Sequence, residues 1–154
     1  MNNHYDVIVM GAGNTGQTAA TAAKNAGKNV LLIESREVGG TCPLRGCVPK
    51  KVLVAASEVL HAIAVADTHK ITVSDAQLDW SKLMRRERSF VEGVSQSFEA
   101  SLEKQGIDLI KGVAAFSGSN SIDVNEQTYI AKQIVIATGP SPRILPIAGF
   151  NEVL

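Results

Sequence analysis

The sequence has no excess of charge of either sign, few aromatic residues and no long hydrophobic run. Its 154 residues carry 15 Lys and Arg against 15 Asp and Glu, which gives a formal net charge of zero. Nucleic-acid binders and proteins that dock on anionic membranes carry a basic excess, so both partner classes are disfavoured. No stretch approaches the roughly 20 apolar residues of a membrane helix. The N-terminus lacks the cationic segment of a secretory signal, and we therefore expect a cytoplasmic protein.

Cysteine is scarce as well, because the chain contains only Cys42 and Cys47. Two cysteines do not build the multi-bridge framework of small secreted domains. The histidines His4, His61 and His69 stand at no ligand spacing from the cysteines, so we expect no metal site. The chain is instead rich in hydrophobic residues, at 45%, and contains 13 glycines. This composition predicts one globular domain with an aliphatic core.

The first third of the chain has the pattern of a βαβ unit. Residues 5–10 and 29–33 are short aliphatic runs that predict buried strands. Between them, the glycine-rich residues 11–16 predict a turn, and the Ala-rich residues 17–25 predict a helix. Because strand, helix and strand follow within about thirty residues, we expect a parallel sheet with a right-handed crossover.

The rest of the chain predicts helices followed by short strands. Apolar spacing predicts helices over 49–66 and 80–105, with a possible short strand at 71–73 between them. Short strands are then predicted at 107–110, 113–116, 121–124, 127–130 and 133–137. The predicted fold class is α/β, a Rossmann-like parallel sheet with helices plus a small antiparallel β meander.

A glycine-rich turn joins the first strand to the first helix. The motif G-x-G-x-x-G is formed by Gly11, Ala12, Gly13, Asn14, Thr15 and Gly16. Its first glycine permits the tight turn, the second lets the backbone approach a diphosphate, and the third lets the helix pack closely on the strand. The helix N-terminus offers free N–H groups to phosphates. Glu34, which ends the next strand roughly twenty residues later, would accept hydrogen bonds from an adenosine ribose.

This combination predicts a dinucleotide site, although it does not distinguish FAD from NAD. The alternative is three turn glycines and an unrelated surface glutamate. The strand before the motif, the helix after it and the acidic strand end together disfavour that alternative.

The two cysteines stand five residues apart in a loop that contains proline and glycine. On a regular helix, side chains at this spacing point about 140° apart, which is too far for a disulfide. Pro43 and Gly46 permit a departure from helix that would bring the two sulfurs together. The cations Arg45, Lys50 and Lys51 surround the pair and favour thiolate over thiol. These features favour a redox role, with buried structural thiols and an incidental Cys-x4-Cys as the alternatives.

The segment Gly39 to Lys51 reads G-G-T-C-P-L-R-G-C-V-P-K-K. Together with the glycine turn and the acidic strand end, it resembles the class I pyridine nucleotide–disulfide oxidoreductases, the family of dihydrolipoamide dehydrogenase, glutathione reductase and mercuric reductase. The resemblance covers essentially the whole chain. It implies FAD at the dinucleotide site and a redox-active disulfide between Cys42 and Cys47. Cys47 would be the flavin-proximal, charge-transfer thiol, and Cys42 would be the thiol that meets the substrate disulfide.

The resemblance also implies further contacts with FAD. A lysine just after the cysteine motif lies near flavin N5 in this family, and Lys50 and Lys51 both match that position. Residues 112–116 resemble the segment that sets a backbone group, at about Ala114, on the adenine. The stretch Ala137-Thr138-Gly139 with Pro142 resembles the family's Ala-Thr-Gly segment near FAD. The remaining contacts expected at motif positions are Ser35, Gly40 and Thr41.

In this family, electrons run from NAD(P)H through FAD and the disulfide to a disulfide-type substrate, and the full-length enzymes are homodimers. This chain contains neither a second G-x-G-x-x-G nor a His-x-x-x-x-Glu near its end. We therefore expect residues 1–154 to be the N-terminal FAD-binding segment of such an enzyme, without the NAD(P)-binding and dimerisation domains. Such a segment should lack NAD(P)H-driven turnover and should leave part of its sheet and flavin cleft open.

Two qualifications belong to this hypothesis. Residues 43–45, Pro-Leu-Arg, depart from the Asn-containing apolar stretch of the best-known members, so the motif predicts no particular substrate. The alternative function is a free-standing flavin- or nucleotide-binding module in which the cysteines sense redox state. An unrelated NAD-binding Rossmann domain is a third alternative, which the cysteine motif disfavours.

Overall fold

The computed structural model describes residues 3–141 and 143–150, and a mixed six-stranded sheet forms its centre. The strands are β1 (His4–Met10), β2 (Val30–Glu34), β3 (Asp108–Lys111), β4 (Ala115–Gly118), β5 (Ser121–Val124) and β6 (Gln127–Ile136). They lie in the order β3-β2-β1-β6-β5-β4. β1 pairs in parallel with β2 and β6, and β2 pairs in parallel with β3. β4, β5 and the start of β6 form an antiparallel meander. The predicted fold class is confirmed.

The helices connect the parallel strands. They are α1 (Asn14–Asn25), α2 (Thr41–Arg45), α3 (Cys47–Ala64), α4 (Trp80–Ser89) and α5 (Val94–Lys104), with a 3₁₀ turn over Ala66–His69. Helix α1 starts three residues before the predicted position. The backbone N–H of Gln17 already donates to the carbonyl of Gly13 at 2.9 Å, so the glycine turn passes directly into helix.

Two predictions between residues 66 and 105 are wrong. The single helix over 80–105 is divided into α4 and α5, because Gly93 adopts φ +76° and cannot continue a right-handed helix. The possible strand at 71–73 does not form, and these residues lie in an exposed stretch outside any helix or strand. Without a neighbouring strand, its β-branched residues have no ladder to join.

Two hydrophobic clusters hold the sheet from opposite faces. Ile8 and Leu31 pack on one face against meander residues that include Ile122. Val9 and Leu32 pack on the other face with Leu102 of α5. All five residues of β2 are buried. Burying one such aliphatic side chain contributes about 1.5–3 kcal/mol, so the carboxyl ends of β1 and β2 are firmly fixed.

Strand β6 is one ten-residue strand rather than the two predicted strands. Residues 127–130 pair with β5, and residues 130–136 pair with β1. Ala131 is buried and bonds to the carbonyl of Asn120, so it continues the strand instead of breaking it. On the side away from β1, no described strand pairs with residues 132–136, and Ile136 is 65% exposed. This part of the sheet is open, as expected.

None of the helices in the described residues is both long and apolar enough to cross a membrane. Within the same residues, no group of three or more His, Cys, Asp and Glu side chains is arranged to hold a metal ion.

Candidate functional site

A cleft with a cavity of about 230 Å³ opens at the carboxyl ends of β1, β2 and β6. Ligands of open α/β sheets bind at this end of the parallel strands. The predicted site residues that line the cleft are Gly11, Gly13, Glu34, Ser35, Gly40, Thr41, Ala114, Thr138 and Gly139. Five separate segments predicted from sequence therefore meet around one cavity.

The three motif glycines meet different requirements. Gly11 adopts φ +101°, and a β-carbon there would overlap the carbonyl oxygen of Ala137. A β-carbon on Gly16 would overlap the carbonyl oxygen of Gly11. At Gly13 the nearest atom to an added β-carbon is the Cα of Gly40, 3.8 Å away, which is an ordinary contact. Protein packing therefore excludes side chains at Gly11 and Gly16. At Gly13 the missing side chain leaves open space in the cleft, as close approach of a diphosphate requires.

Glu34 lies at the edge of the cleft with its carboxylate fixed by backbone donors. The N–H of Ala12 donates to its Oε2 at 2.7 Å, and the N–H of Arg36 donates to its Oε1 at 2.8 Å. An ionised carboxylate offers about four lone-pair positions, so about two stay available for ligand hydroxyls. Ala12, predicted as a cofactor contact, is buried and instead links the glycine turn to Glu34.

A second pair of glycines presses the cysteine loop against the glycine turn. The N–H of Gly39 donates to the carbonyl of Ala12 at 2.9 Å. Gly40 adopts φ +69°, and a β-carbon there would lie 2.7 Å from the Cα of Gly13. Gly39 adopts φ +129°, and a β-carbon there would lie 3.3 Å from Pro43 and Leu44, so both loop positions favour glycine. These contacts set the start of α2, and with it Cys42, beside the start of α1.

The helix breaks between the two cysteines, as predicted. Gly46, at φ −134° and ψ −100°, separates α2 from α3. Cys42 therefore lies in the first turn of α2, and Cys47 is the first residue of α3. Both are thiols in the structure. A hydrogen bond with Cys47, and then partial burial, raise the pKa of Cys42 above its usual value. A hydrogen bond from the Asn14 side chain opposes this and lowers the pKa of Cys42.

Other predicted site residues do not line the cleft. Lys50 and Lys51 are exposed in the first turn of α3. Asn14 and Thr15 lie instead around a shallow depression on the outer side of α1. Cys42 is linked to the glycine turn through its contact with Asn14, whereas Cys47 is exposed. Pro142 lies outside the described residues.

The sequence analysis missed one charged pair in the cleft. Arg45 and Glu37 both line the cavity, and Arg45 Nη2 donates to Glu37 Oε2 at 2.7 Å. The sequence contains both charges, but eight residues separate them across a glycine loop and a short helix. Helical spacing rules cover separations of three and four, so no local pattern connects them. Arg36 and Val113 also line the cleft without having been predicted.

A parallel sheet whose glycine turn opens a cleft, with a thiol pair held against that turn, defines a dinucleotide-binding α/β domain of the redox type. The chain belongs to the pyridine nucleotide-disulphide oxidoreductase family, because the model of that family matches residues 5–154. This family uses FAD and NAD(P)H.

Similarity to individual proteins supports this family assignment. The chain is 32% identical to a dihydrolipoyl dehydrogenase of Mycoplasma genitalium over 96% of its own length and 33% of that protein. It is 36% identical to a dihydrolipoyl dehydrogenase of Thermus scotoductus over 95% of its length and 31% of that protein. A glutathione reductase of Nostoc sp. is also 36% identical, over 92% of the chain and 31% of that protein. The chain thus spans about a third of the length of these curated relatives.

Proposed function

We propose that residues 1–154 form the FAD-binding segment of a flavoprotein disulfide reductase. In this proposal the cleft holds FAD, and Cys42 and Cys47 are the redox-active pair. The observation that carries the proposal is the contact between the two motifs: the N–H of Gly39 donates to the carbonyl of Ala12, and Gly40 lies against Gly13. A thiol pair held at the N-terminus of a dinucleotide-binding helix has no evident purpose in folding alone. It does suit electron exchange with a bound redox cofactor.

The residues around the cleft fit the parts of FAD. The N–H groups at the start of α1, with the open space at Gly13, suit the diphosphate. The two remaining lone-pair positions of Glu34 suit ribose hydroxyls. Ala114 would offer its backbone to the adenine, and Lys50 or Lys51 would lie toward flavin N5. The other proposed contacts are Thr15, Gly16, Ser35, Gly40, Thr41, Thr138 and Gly139.

FAD, when bound, would supply a two-electron carrier beside the thiols. The oxidised Cys42–Cys47 disulfide would take up two electrons and two protons and become two thiols. The Cys42 thiolate would then attack one sulfur of a substrate disulfide, forming a mixed disulfide and releasing the first product thiol. Attack by Cys47 on Cys42 would release the second and restore the protein disulfide. The hydrogen bond from Asn14 lowers the pKa of Cys42 and so favours this thiolate, against the larger raising effects of Cys47 and of burial.

The properties of the whole enzyme belong to the same proposal. NAD(P)H would be the electron source, bound by a domain outside these residues. The substrate would be a small-molecule or protein disulfide. A homodimer and a cytoplasmic location complete the proposal, in accordance with the resemblance described above.

The visible absorption spectrum of the protein mixed with FAD tests the proposal. On two-electron reduction with dithionite, we expect a broad long-wavelength band from a thiolate against the flavin. Cys47→Ser should abolish that band. The matched variant Cys42→Ser has no disulfide to reduce, so it should show the band with oxidised flavin before dithionite is added and lose it when the flavin is reduced. Failure to take up FAD, or a band that survives Cys47→Ser, would contradict the proposal.

A further inference from the structure

Arg45 and Glu37 form an ion pair at the mouth of the cleft. Both side chains line the cavity together with Gly11, Gly13 and Thr41. Both also line a second, shallower recess beside the break between α4 and α5. The pair therefore separates the dinucleotide cleft from this recess. The two side chains are 39% and 63% exposed, so they are wetted and can rearrange when a ligand enters.

The charges in the cleft show what this pair could do. The glycine turn contains no cation, and the first turn of α1 contains no acidic residue. Glu34 and Glu37 bring two carboxylates to the cleft, and Arg36 brings one cation beside them. A diphosphate adds about two further negative charges, which the partial positive charge of one helix end offsets only in part. A cation close to the glycine turn would therefore contribute strongly to binding.

Arg45 is placed to supply that cation. It is the last residue of α2, which begins at Thr41 and is five residues long. At about 1.5 Å of rise per residue, α2 spans only some 6–7 Å, about the reach of an arginine side chain. The start of α2 touches Gly13 through Gly40. Hence Arg45 and the N-terminus of α1, which follows Gly13, face the same part of the cleft.

We propose that the Arg45 guanidinium binds a phosphoryl oxygen of the dinucleotide while Glu37 holds it across the cleft mouth. The inference rests on the proposed function, in which the cleft takes FAD. A guanidinium carries five N–H donors, and the hydrogen bond to Glu37 uses one of them. Its planar fork suits simultaneous binding of a carboxylate and a phosphate, which the single ammonium of lysine does not reproduce.

The proposal predicts that variants of Arg45 and Glu37 differ in their affinity for FAD. Arg45→Ala removes the cation and also leaves Glu37 unneutralised beside the diphosphate. Arg45→Ala with Glu37→Gln removes that repulsion as well, so the double variant should bind FAD more tightly than the single one. Arg45→Lys should bind FAD with intermediate affinity, because it keeps the charge and loses the fork.

Titration of flavin fluorescence measures the FAD dissociation constant of the parent and of each variant. We expect Arg45→Ala to weaken binding about tenfold, since hydrogen bonds to charged groups are the stronger ones. Lys132→Ala is the matched control. It also removes one cation from an ion pair, which Lys132 forms with Asp6, and Lys132 lies outside the cleft. Circular dichroism should show that every variant is folded.

Competition with ADP and with adenosine shows whether Arg45 acts on the phosphoryl groups of the ligand or on its nucleoside. Arg45→Ala should weaken ADP binding and leave adenosine binding unchanged. If Arg45→Ala binds FAD as tightly as Lys132→Ala does, or if adenosine weakens as much as ADP, this inference is wrong while the proposed function stands. If the parent takes up no FAD, the proposed function fails and the inference fails with it.

Discussion

The sheet and the long helices of this chain are stabilised in different ways. All five residues of β2 are buried, and β1 is buried at its four carboxyl-terminal positions. The helical arm, defined here as residues 47–89, contains two buried residues, Pro49 and Ala66. Its helix α3 is rich in apolar residues, yet Val59 is 59% exposed. The sheet is stabilised by its buried core, whereas the helical arm buries few of its side chains.

This difference shows that apolar spacing predicts a helix better than it predicts burial. The apolar stripe of α3 is real in sequence, but the described residues cover it only where α3 packs against α2, α4 and the 3₁₀ turn. What fixes the functional end of α3 is the glycine break before Cys47 and the thiol contact with Cys42. Rigidity of the site therefore comes from the glycine turns rather than from the arm.

Replacing one glycine in the glycine turn after β1 and one at the break after the helical arm should give the largest difference. Gly11→Ala combines a left-handed backbone with overlap of the Ala137 carbonyl, so we expect a loss of more than about 3 kcal/mol of unfolding free energy. Gly93→Ala, at the α4–α5 break, meets no atom within 4 Å and should cost about 1 kcal/mol. Urea unfolding measures both. Equal losses would show that the glycine turn is no more constrained than the helix break.

A matched pair of valines tests the core directly. Val30 in β2 is fully buried, whereas Val59 in α3 is mostly exposed. Val30→Ala should lower the unfolding free energy by about 2 kcal/mol, through lost burial and an unfilled cavity. Val59→Ala should change it by less than about 0.5 kcal/mol. A large loss at Val59 would mean that the arm is packed more tightly than its exposure indicates.

The contact between Asn14 and Cys42 lies between the glycine turn and the segment that precedes the helical arm, and it can be tested without any cofactor. Asn14 lowers the pKa of Cys42, so Asn14→Ala should raise that pKa and reduce the thiolate present near neutral pH. The rate of alkylation of Cys42 by iodoacetamide, measured against pH in a Cys47→Ser background, should shift to higher pH. Thr15→Ala, at the next residue of the same turn, is the control. An unchanged profile in Asn14→Ala would remove Asn14 from the thiol site.

The smallest effect should come from an ion pair at the edge of the sheet. Lys132 donates to Asp6 at 2.7 Å and, with the N–H of Asn29, lowers the pKa of Asp6. Because the folded pKa lies below the unfolded value of about 3.9, this stabilisation is present at neutral pH and is lost as the pH falls through the folded pKa. Asp6→Asn should therefore be less stable than the parent at pH 7, and the difference should be smaller at pH 3. A gap of the same size in urea midpoint at both values would contradict this account.

The sequence predicted the features that local chemistry controls. The βαβ unit, the glycine turn and the acidic end of β2 follow from residue type and spacing alone. The break at Gly46 was also predictable, because a regular helix keeps cysteines five residues apart from each other. Nine predicted residues from five segments line the same cleft. Their contacts with FAD stay predictions.

The features that were missed depend on partners distant in sequence. Apolar residues recur at helical spacing through Phe90 and Val94, so this pattern did not predict the end of the helix before Gly93. The sequence analysis placed a break at Ala131 and Lys132, within β6. The strand continues there because it pairs with β1, which lies more than a hundred residues earlier, and local residue types do not reveal that pairing. The Arg45–Glu37 pair was missed for the same reason, because it forms only when the glycine loop folds back.

The uninterrupted run of β6 limits where this domain can change length. The strand starts against β5, and just beyond its other end the N–H of Ala137 donates to the carbonyl of Met10. One residue inserted at 132–136 would swap the two faces of the strand and carry the cleft wall away from the glycine turn. Residues 70–79, exposed and outside any helix or strand, could accept such an insertion at little cost. Length variation among homologous chains should therefore concentrate there and spare the strand.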